Sequence, residues 1–280
     1  MAHTLHIYQS LWAMERRIPG QPEEPVEVHM ERIAAAGYAG ACVDPNESEI
    51  PDCLALKPTF ERLGLKCMVN CLSPRRRLNA AAARYGRRNE CHSGQRDWRR
   101  YAFDRSRGVP VVETWLAMAN AYDFPLLLET HRNGTLNDLF YTLEVLEMVP
   151  ELRLCADLSH FVVDRELQIP LNETDEGYFS TILSVRTRFR DVSPTISKSR
   201  LRLISPAPEW VAQYRQWWQQ GIARWHARQD HDATLNFLVE LGPPAYAITG
   251  ADQRELSDRW QEGLQIREWV EAIWSELESA

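Results

Sequence analysis

The chain has 280 residues, 44% of them hydrophobic and 25% charged, with a formal net charge of −7. That length buries one large core and suits a single α/β barrel of about 250 residues. The acidic balance argues against a nucleic-acid binder, which usually carries a basic excess.

No run of about 18 apolar residues occurs, so no membrane span and no membrane partner are expected. The N-terminus MAHTLHIYQSLW lacks the basic-then-apolar pattern of a secretory leader. Six cysteines, Cys42, Cys53, Cys67, Cys71, Cys91 and Cys155, include no C-x-x-C pair. They read as buried free thiols in a reducing compartment, and the expected location is the cytoplasm.

In chain order, LHIYQSLW (5–12) is a short apolar run that ends in polar residues, the mark of a buried parallel strand. VEVHMERIAAAGY (26–38) follows as a helix with Val28, Ile33 and Ala36 near one face and Gly37 as its stop. YAGACVD (38–44) and LKCMVNC (65–71) read as the next two strands. VPVVETWLAMANAYD (109–123) is an amphipathic helix, FPLLLETH (124–131) a strand, LNDLFYTLEVLEMVP (136–150) a helix and LRLCADLSH (152–160) a strand. An aromatic-rich helix covers 209–232, LNFLVELG (235–242) is the last strand, and an amphipathic helix ends the chain. Strand alternating with helix predicts parallel strands joined by right-handed crossovers.

The gaps between strands are uneven. One further strand is required near 85–95 and another between 160 and 235, which makes eight, the number of the closed (β/α)8 TIM barrel. The expected fold is one such barrel over residues 1–280, with two irregular strand positions. Those positions fall in arginine-rich windows, 74–107 and 184–206, in a chain with only three lysines. Neither window holds an apolar run fit for a central strand. Two readings stay open: a natural basic rim, such as a phosphate clamp, or segments read from shifted frames of a GC-rich coding sequence. Trp210, Tyr214, Trp217, Trp218 and Trp225 lie mostly at helical spacing and read as core or as a homo-oligomer interface that buries Trp217 or Trp218.

Active sites of parallel α/β barrels sit at the C-terminal ends of the strands. Here FPLLLETH ends in Glu129 and His131, LRLCADLSH in Asp157 and His160, and LNFLVELG in Glu240. A carboxylate at the tail of a buried strand is costly unless paired or metal-bound. Oxygen and imidazole donors suit Mn²⁺, Mg²⁺, Co²⁺ or Zn²⁺. Each residue also has a plainer role available. Glu129 can pair with Arg132, Asp157 can cap the following turn, His160 can be a hydrogen-bonded structural histidine and His131 can face solvent.

The segments ETHRN (129–133), CADLSHF (155–161) and VELGPPAYAI (239–248) resemble motifs of the xylose-isomerase-like sugar phosphate isomerases and epimerases. That superfamily also includes endonuclease-IV-type enzymes. The likeness covers 109–165 and 209–275 well and 1–73 loosely. It implies one divalent metal on Glu129, Asp157 and Glu240, substrate contacts from His131 and His160, proton shuttling by Glu129 and Glu240, and a catalytic role for His160 in orienting the substrate or neutralising the enolate oxygen. The expected partner is a small sugar-like substrate. The family's further metal histidine has no counterpart, because no histidine occurs between His160 and His226. A non-catalytic or damaged barrel, or an endonuclease-IV-like metal hydrolase, are therefore the alternatives. The hydrolase would need more strand-end histidines and a basic groove.

Overall fold

The computed structural model describes residues 3–16, 18–72, 93–97, 105–121, 125–132, 134–184, 195–196, 208–229, 232–243 and 246–279. Eight strands run through them: β1 Thr4–Ser10, β2 Gly40–Val43, β3 Lys66–Leu72, β4 Ser93–Asp97, β5 Leu126–Glu129, β6 Leu154–Ala156, β7 Thr195–Ile196 and β8 Thr234–Val239. They form one sheet in the order β7-β6-β5-β4-β3-β2-β1-β8. Every neighbouring pair is parallel. The helices are α1 Val26–Ala35, α2 Ile50–Ala55, α3 Lys57–Leu63, α4 Arg105–Ala119, α5 Leu139–Met148, α6 Leu158–Asp164, α7 Glu173–Leu183, α8 Pro208–Arg228 and α9 Arg259–Glu278. No helix among the described residues is long and apolar enough to cross a membrane.

The six apolar runs each supply the expected strand. The two arginine-rich windows also supply one each, where the sequence offered no apolar signal: SGQRD for β4 and two residues, TI, for β7. Register with neighbours recruits them, because an exposed strand edge must find a partner for its backbone groups. The rest of both windows lies largely outside the described residues. No ladder joins β7 to β8 among the described residues.

The sheet is nevertheless strongly rolled. β5 and β8 are five strand spacings apart through β1, roughly 24 Å in a flat sheet. Yet the Arg132 guanidinium beyond β5 lies 4.8 Å from the ring centroid of Tyr246 beyond β8. Tyr246 in turn meets Trp12, beyond β1, edge to face at 5.3 Å. Only a curled sheet brings these three loops together.

The two faces of the sheet differ accordingly. One packs against the helices in a large core that includes Ile7, Val43, Leu128, Leu154 and Phe237. The inner face holds a small separate cluster of Tyr8, Cys42, Met68 and Leu238. Gly40 makes that inner packing possible: a Cβ there would lie 2.5 Å from the Tyr8 ring and 2.2 Å from the Lys66 carbonyl oxygen.

Two expectations change. On α1 the buried side chains are His29, Met30 and Ile33, while Val28 faces solvent; Gly37 takes the left-handed φ of +82° just past the helix end. The aromatic stripe of α8 is not an intermolecular surface at Trp217 or Trp218, since both are buried within the chain. Trp217 stacks on Phe179 of α7 at 4.4 Å, and Trp218 meets Phe237 of β8 edge to face at 5.7 Å. A stripe this bulky fills the wide gap between helix and sheet.

Candidate metal centre

Strand alternation decides which side chains enter the inner face. Met68, Leu238 and Tyr8 mark that face, so Asn70, Glu240 and Ser10, two residues on, share it nearer the strand ends. Leu128 of β5 and both Leu154 and Ala156 of β6 belong to the helix-side core. Glu129, His131, Cys155 and Asp157 therefore face inward. All five predicted site residues are buried: Glu129 and Asp157 almost completely, His131, His160 and Glu240 nearly so.

The arrangement around Glu129 is compact. One donor atom each from Glu129, His131 and His160 lies within 4.8 Å of the other two. The rings of His131 and His160 approach at 4.0 Å between centroids. The Nδ1 atom of His131 faces the carbonyl oxygen of Arg132. A proton on Nδ1 donated to that oxygen makes Nε2 the lone-pair atom, the form in which imidazole binds metals.

Asp157 has two jobs, one per oxygen. It is the N-cap of α6: Oδ1 accepts from the Ser159 amide at 3.0 Å and from the Ser159 hydroxyl at 2.6 Å. Its Oδ2 lies 3.2 Å from His160 Nε2. His160 follows Asp157 by three residues, so one turn of α6 carries the imidazole back over its own cap. Thr130 ties the two strand ends together: its amide donates to the Cys155 carbonyl at 3.0 Å and its hydroxyl to the Asp157 carbonyl at 3.0 Å.

Glu240 and Asp157 stand outside the three-residue donor group. Glu240 immediately follows β8, and the next residue is anchored by Arg259, whose guanidinium donates to the Leu241 carbonyl at 3.5 Å and to the Ala13 and Glu15 carbonyls. Glu255 holds the same guanidinium at 2.7 Å, a buried ion pair that fixes the β1 and β8 loops. Those loops also border a cavity of about 810 Å³ lined by Met14, His29, Arg32 and Glu255 among others. None of the five site residues lines it, so it is not the cavity of this donor group.

Three features escaped the sequence reading. His131 and His160 join Glu129 in one donor group, a pairing that ETH and D-x-x-H spacing alone cannot reveal because it depends on adjacent strands. Tyr214 of α8 sits close enough to Asp157 to feel its charge: burial holds its phenol well above the usual range, and the Asp157 carboxylate pushes it further. Asn70 is buried on the inner face of β3. Its signal was legible, a lone amide in the apolar run KCMVNC two positions after an inward methionine. His226 lies elsewhere, paired with Glu278 at 2.9 Å, and His231 lies outside the described residues.

No protein-family model matches the sequence, and no curated protein sequence matches it. Solved structures do match in shape. A D-allulose 3-epimerase from Methylomonas sp. superposes with a TM-score of 0.60 at 13% identity, covering 98% of this chain and 100% of that one. An L-ribulose 3-epimerase gives 0.58 at 15% identity, covering 100% and 99%. A xylose isomerase domain protein from Planctomyces limnophilus gives 0.53 at 10% identity, covering 100% and 99%. At such identities the likeness establishes a fold shared with those structures.

Proposed function

We propose that the chain is a divalent-metal-dependent isomerase or epimerase of a sugar or sugar-like substrate, acting at the mouth of a (β/α)8 barrel that closes between β7 and β8. The observation that carries this reading is the convergence of Glu129, His131 and His160 donor atoms within 4.8 Å at the ends of parallel strands. The epimerase names of the similar structures point the same way.

The donor set fits a metal. One carboxylate oxygen and two imidazole nitrogens suit Mn²⁺, Co²⁺ or Zn²⁺ better than Mg²⁺, which prefers oxygen alone. Glu129, His131 and His160 would hold the ion, with Asp157 orienting His160 from behind. When bound, such an ion polarises a substrate carbonyl and acidifies the adjacent C–H.

The chain's own residues supply the rest. Glu240 and Glu129 are the carboxylates available for acid–base work: one takes the proton from carbon, the other returns it, through an enediolate. Asp157 keeps the His160 imidazole turned toward Glu129 and His131. Tyr214, held protonated by burial, is a hydrogen-bond donor beside Asp157. The buried apolar tier of Tyr8, Cys42, Met68 and Leu238 floors the site and excludes water from below. The chain would work in the cytoplasm as a homo-oligomer, through a surface other than Trp217 and Trp218.

The test is a titration of metal-free protein with Mn²⁺, Co²⁺ and Zn²⁺, followed by a screen of free and phosphorylated ketoses for isomerisation. Stoichiometric binding lost in Glu129→Gln, together with metal-dependent turnover, is expected. Absence of binding by all three ions would sink the reading.

A further inference from the structure

The end of the rolled sheet opposite the metal centre carries side chains that the proposed chemistry does not use. His6, Lys66 and Asn236 each stand two residues before a member of the inner cluster, Tyr8, Met68 and Leu238. Arg153 stands two residues before the inward Cys155. Alternation therefore turns all four to the inner face, one step nearer the strand starts. Their neighbours in sequence agree: Leu5 and Ile7, Cys67, Leu235 and Phe237, and Leu152 and Leu154 all pack in the helix-side core. His6 and Asn236 are register partners, and the His6 ring meets Tyr8 edge to face at 6.4 Å. The Arg153 carbonyl accepts from the Leu128 amide at 2.9 Å, which holds Arg153 in line with β5.

The group is cationic. Lys66 and Arg153 are half-buried, and neither takes part in an ion pair or a side-chain hydrogen bond among the described residues. β3 and β6 are three strands apart, roughly 14 Å in a flat sheet. The roll of the sheet and the length of both side chains bring the two charged heads toward each other and toward His6. Acids do occur in the turns at this end, at Glu90, Asp123, Glu151, Asp191, Asp230 and Asp232, with arginines beside those that precede β4 and β7. Of these acids Glu151 and Asp232 are described; both are exposed and pair with neither cation. Water screens charges on such a rim, whereas like charges gathered on the inner face of a rolled sheet repel. The buried tier of Tyr8, Cys42, Met68 and Leu238 separates this end from Glu129, His131 and His160. A guanidinium fork, an ammonium, an imidazole and an amide NH₂ are all donors, and together they match an anion with several acceptor oxygens.

We propose that His6, Lys66 and Arg153 bind a small oxyanion of the phosphate or sulfate class at the strand starts, with the Asn236 amide as a further donor. The anion ties the starts of β1, β3, β6 and β8 together across the interior, on either side of the place where no ladder joins β7 to β8 among the described residues. It is a second site, apart from the metal centre, and its occupancy adds stability rather than chemistry.

The test is a calorimetric titration of full-length, metal-free protein with inorganic phosphate and with sulfate at low ionic strength, alongside thermal melts. Stoichiometric binding and a raised melting temperature are expected, since a ligand of the folded state stabilises it. Arg153→Gln and Lys66→Met should each weaken phosphate binding by ~10-fold or more, the scale of a lost hydrogen bond to a charged group. Lys66→Arg, which keeps the charge, should retain most of the affinity. In phosphate-free buffer Lys66→Met should melt no lower than the wild type, because removing one of two like charges relieves their repulsion. That readout also shows that the variant folds, and a clearly lower melt would overturn the role of Lys66 by making it a packing residue. Glycerol 3-phosphate separates two sources of the same chemistry: weaker binding than phosphate supports a free anion, and equal binding supports the head group of a phosphate monoester. Neither anion binding to the wild type, phosphate binding unchanged in both Arg153→Gln and Lys66→Met, or phosphate binding abolished by His160→Ala would each overturn the proposal, the last because the anion would then sit at the metal centre.

Discussion

Asp157 separates a structural role from a chemical one within a single carboxylate. Its Oδ1 caps α6 through the Ser159 amide and hydroxyl, at 3.0 and 2.6 Å, while Oδ2 faces His160 Nε2 at 3.2 Å. Asp157→Ala removes both. Losing an N-cap costs about 0.5–2 kcal/mol, and stranding the buried Ser159 hydroxyl adds about 1–3 kcal/mol. The two overlap, so a net loss of about 1–3 kcal/mol is expected. Asp157→Asn keeps an oxygen for the cap and should lose less than about 1 kcal/mol, since Asn caps about as well as Asp. It also removes the charge that orients His160, and Mn²⁺ affinity should fall ~10-fold or more in both variants, as for lost partners of ligating histidines. Urea denaturation gives the stabilities and calorimetry the metal affinities. If Asp157→Asn binds Mn²⁺ as the wild type does, the carboxylate does not hold His160. If Asp157→Ala unfolds at the wild-type midpoint, the cap contributes nothing.

Removing a donor atom should act on metal binding directly: His131→Ala and His160→Ala are each expected to lower Mn²⁺ affinity by ~10-fold or more, and wild-type affinity in both would dissolve the three-residue donor group. Gly40→Ala should destabilise by about 1–3 kcal/mol or prevent folding, as overpacked cores do, because the new Cβ would lie 2.5 Å from the Tyr8 ring; a thermal melt unchanged from wild type would contradict the inner packing. Burial raises the Cys53 thiol to about 12, with the neighbouring Cys67 and Glu49 adding to it, so iodoacetamide at pH 8 should label it at least ~100-fold more slowly than an unperturbed thiol, and mass spectrometry showing rapid labelling would refute the packing around it. Translating the coding DNA of 74–107 and 184–206 in the other two frames decides between a natural basic rim and shifted reading: an apolar strand or a histidine near position 190 in either frame supports the shift, and neither supports the rim.

Much of the architecture was written locally. The runs LHIYQSLW, YAGACVD, LKCMVNC, FPLLLETH, LRLCADLSH and LNFLVELG each became a parallel strand, because a strand buried on both faces must be apolar along its length. The strand-end position of Glu129, His131, Asp157, His160 and Glu240 was equally legible, since charge at the tail of such a run stands out. What periodicity could not provide were β4 and β7, whose residues SGQRD and TI carry no strand signal. Their assignment comes from hydrogen bonding to neighbours already in place. The aromatic stripe of α8 was read in part as an oligomer surface, and packing against Phe179 and Phe237 turned it inward. A helical stripe says which face is buried, not against what.

The same division runs through the site. Sequence alone established that carboxylates and histidines end several buried strands, because the cost of burying charge makes those positions conspicuous. Tertiary structure decided which of them meet. Glu129 and His131 lie on one strand end and His160 on the helix after its neighbour, so their convergence depends on strand pairing, on the Thr130 tie to Cys155 and Asp157, and on one turn of helix after an Asp157 cap. Asn70 shows the same limit: its residue type was visible, but its face is set by parity with Met68, and its neighbours by register with β2 and β4. Burial is a property of single positions and leaves its trace in local pattern, whereas a site is a property of distances between strands, which no local pattern encodes.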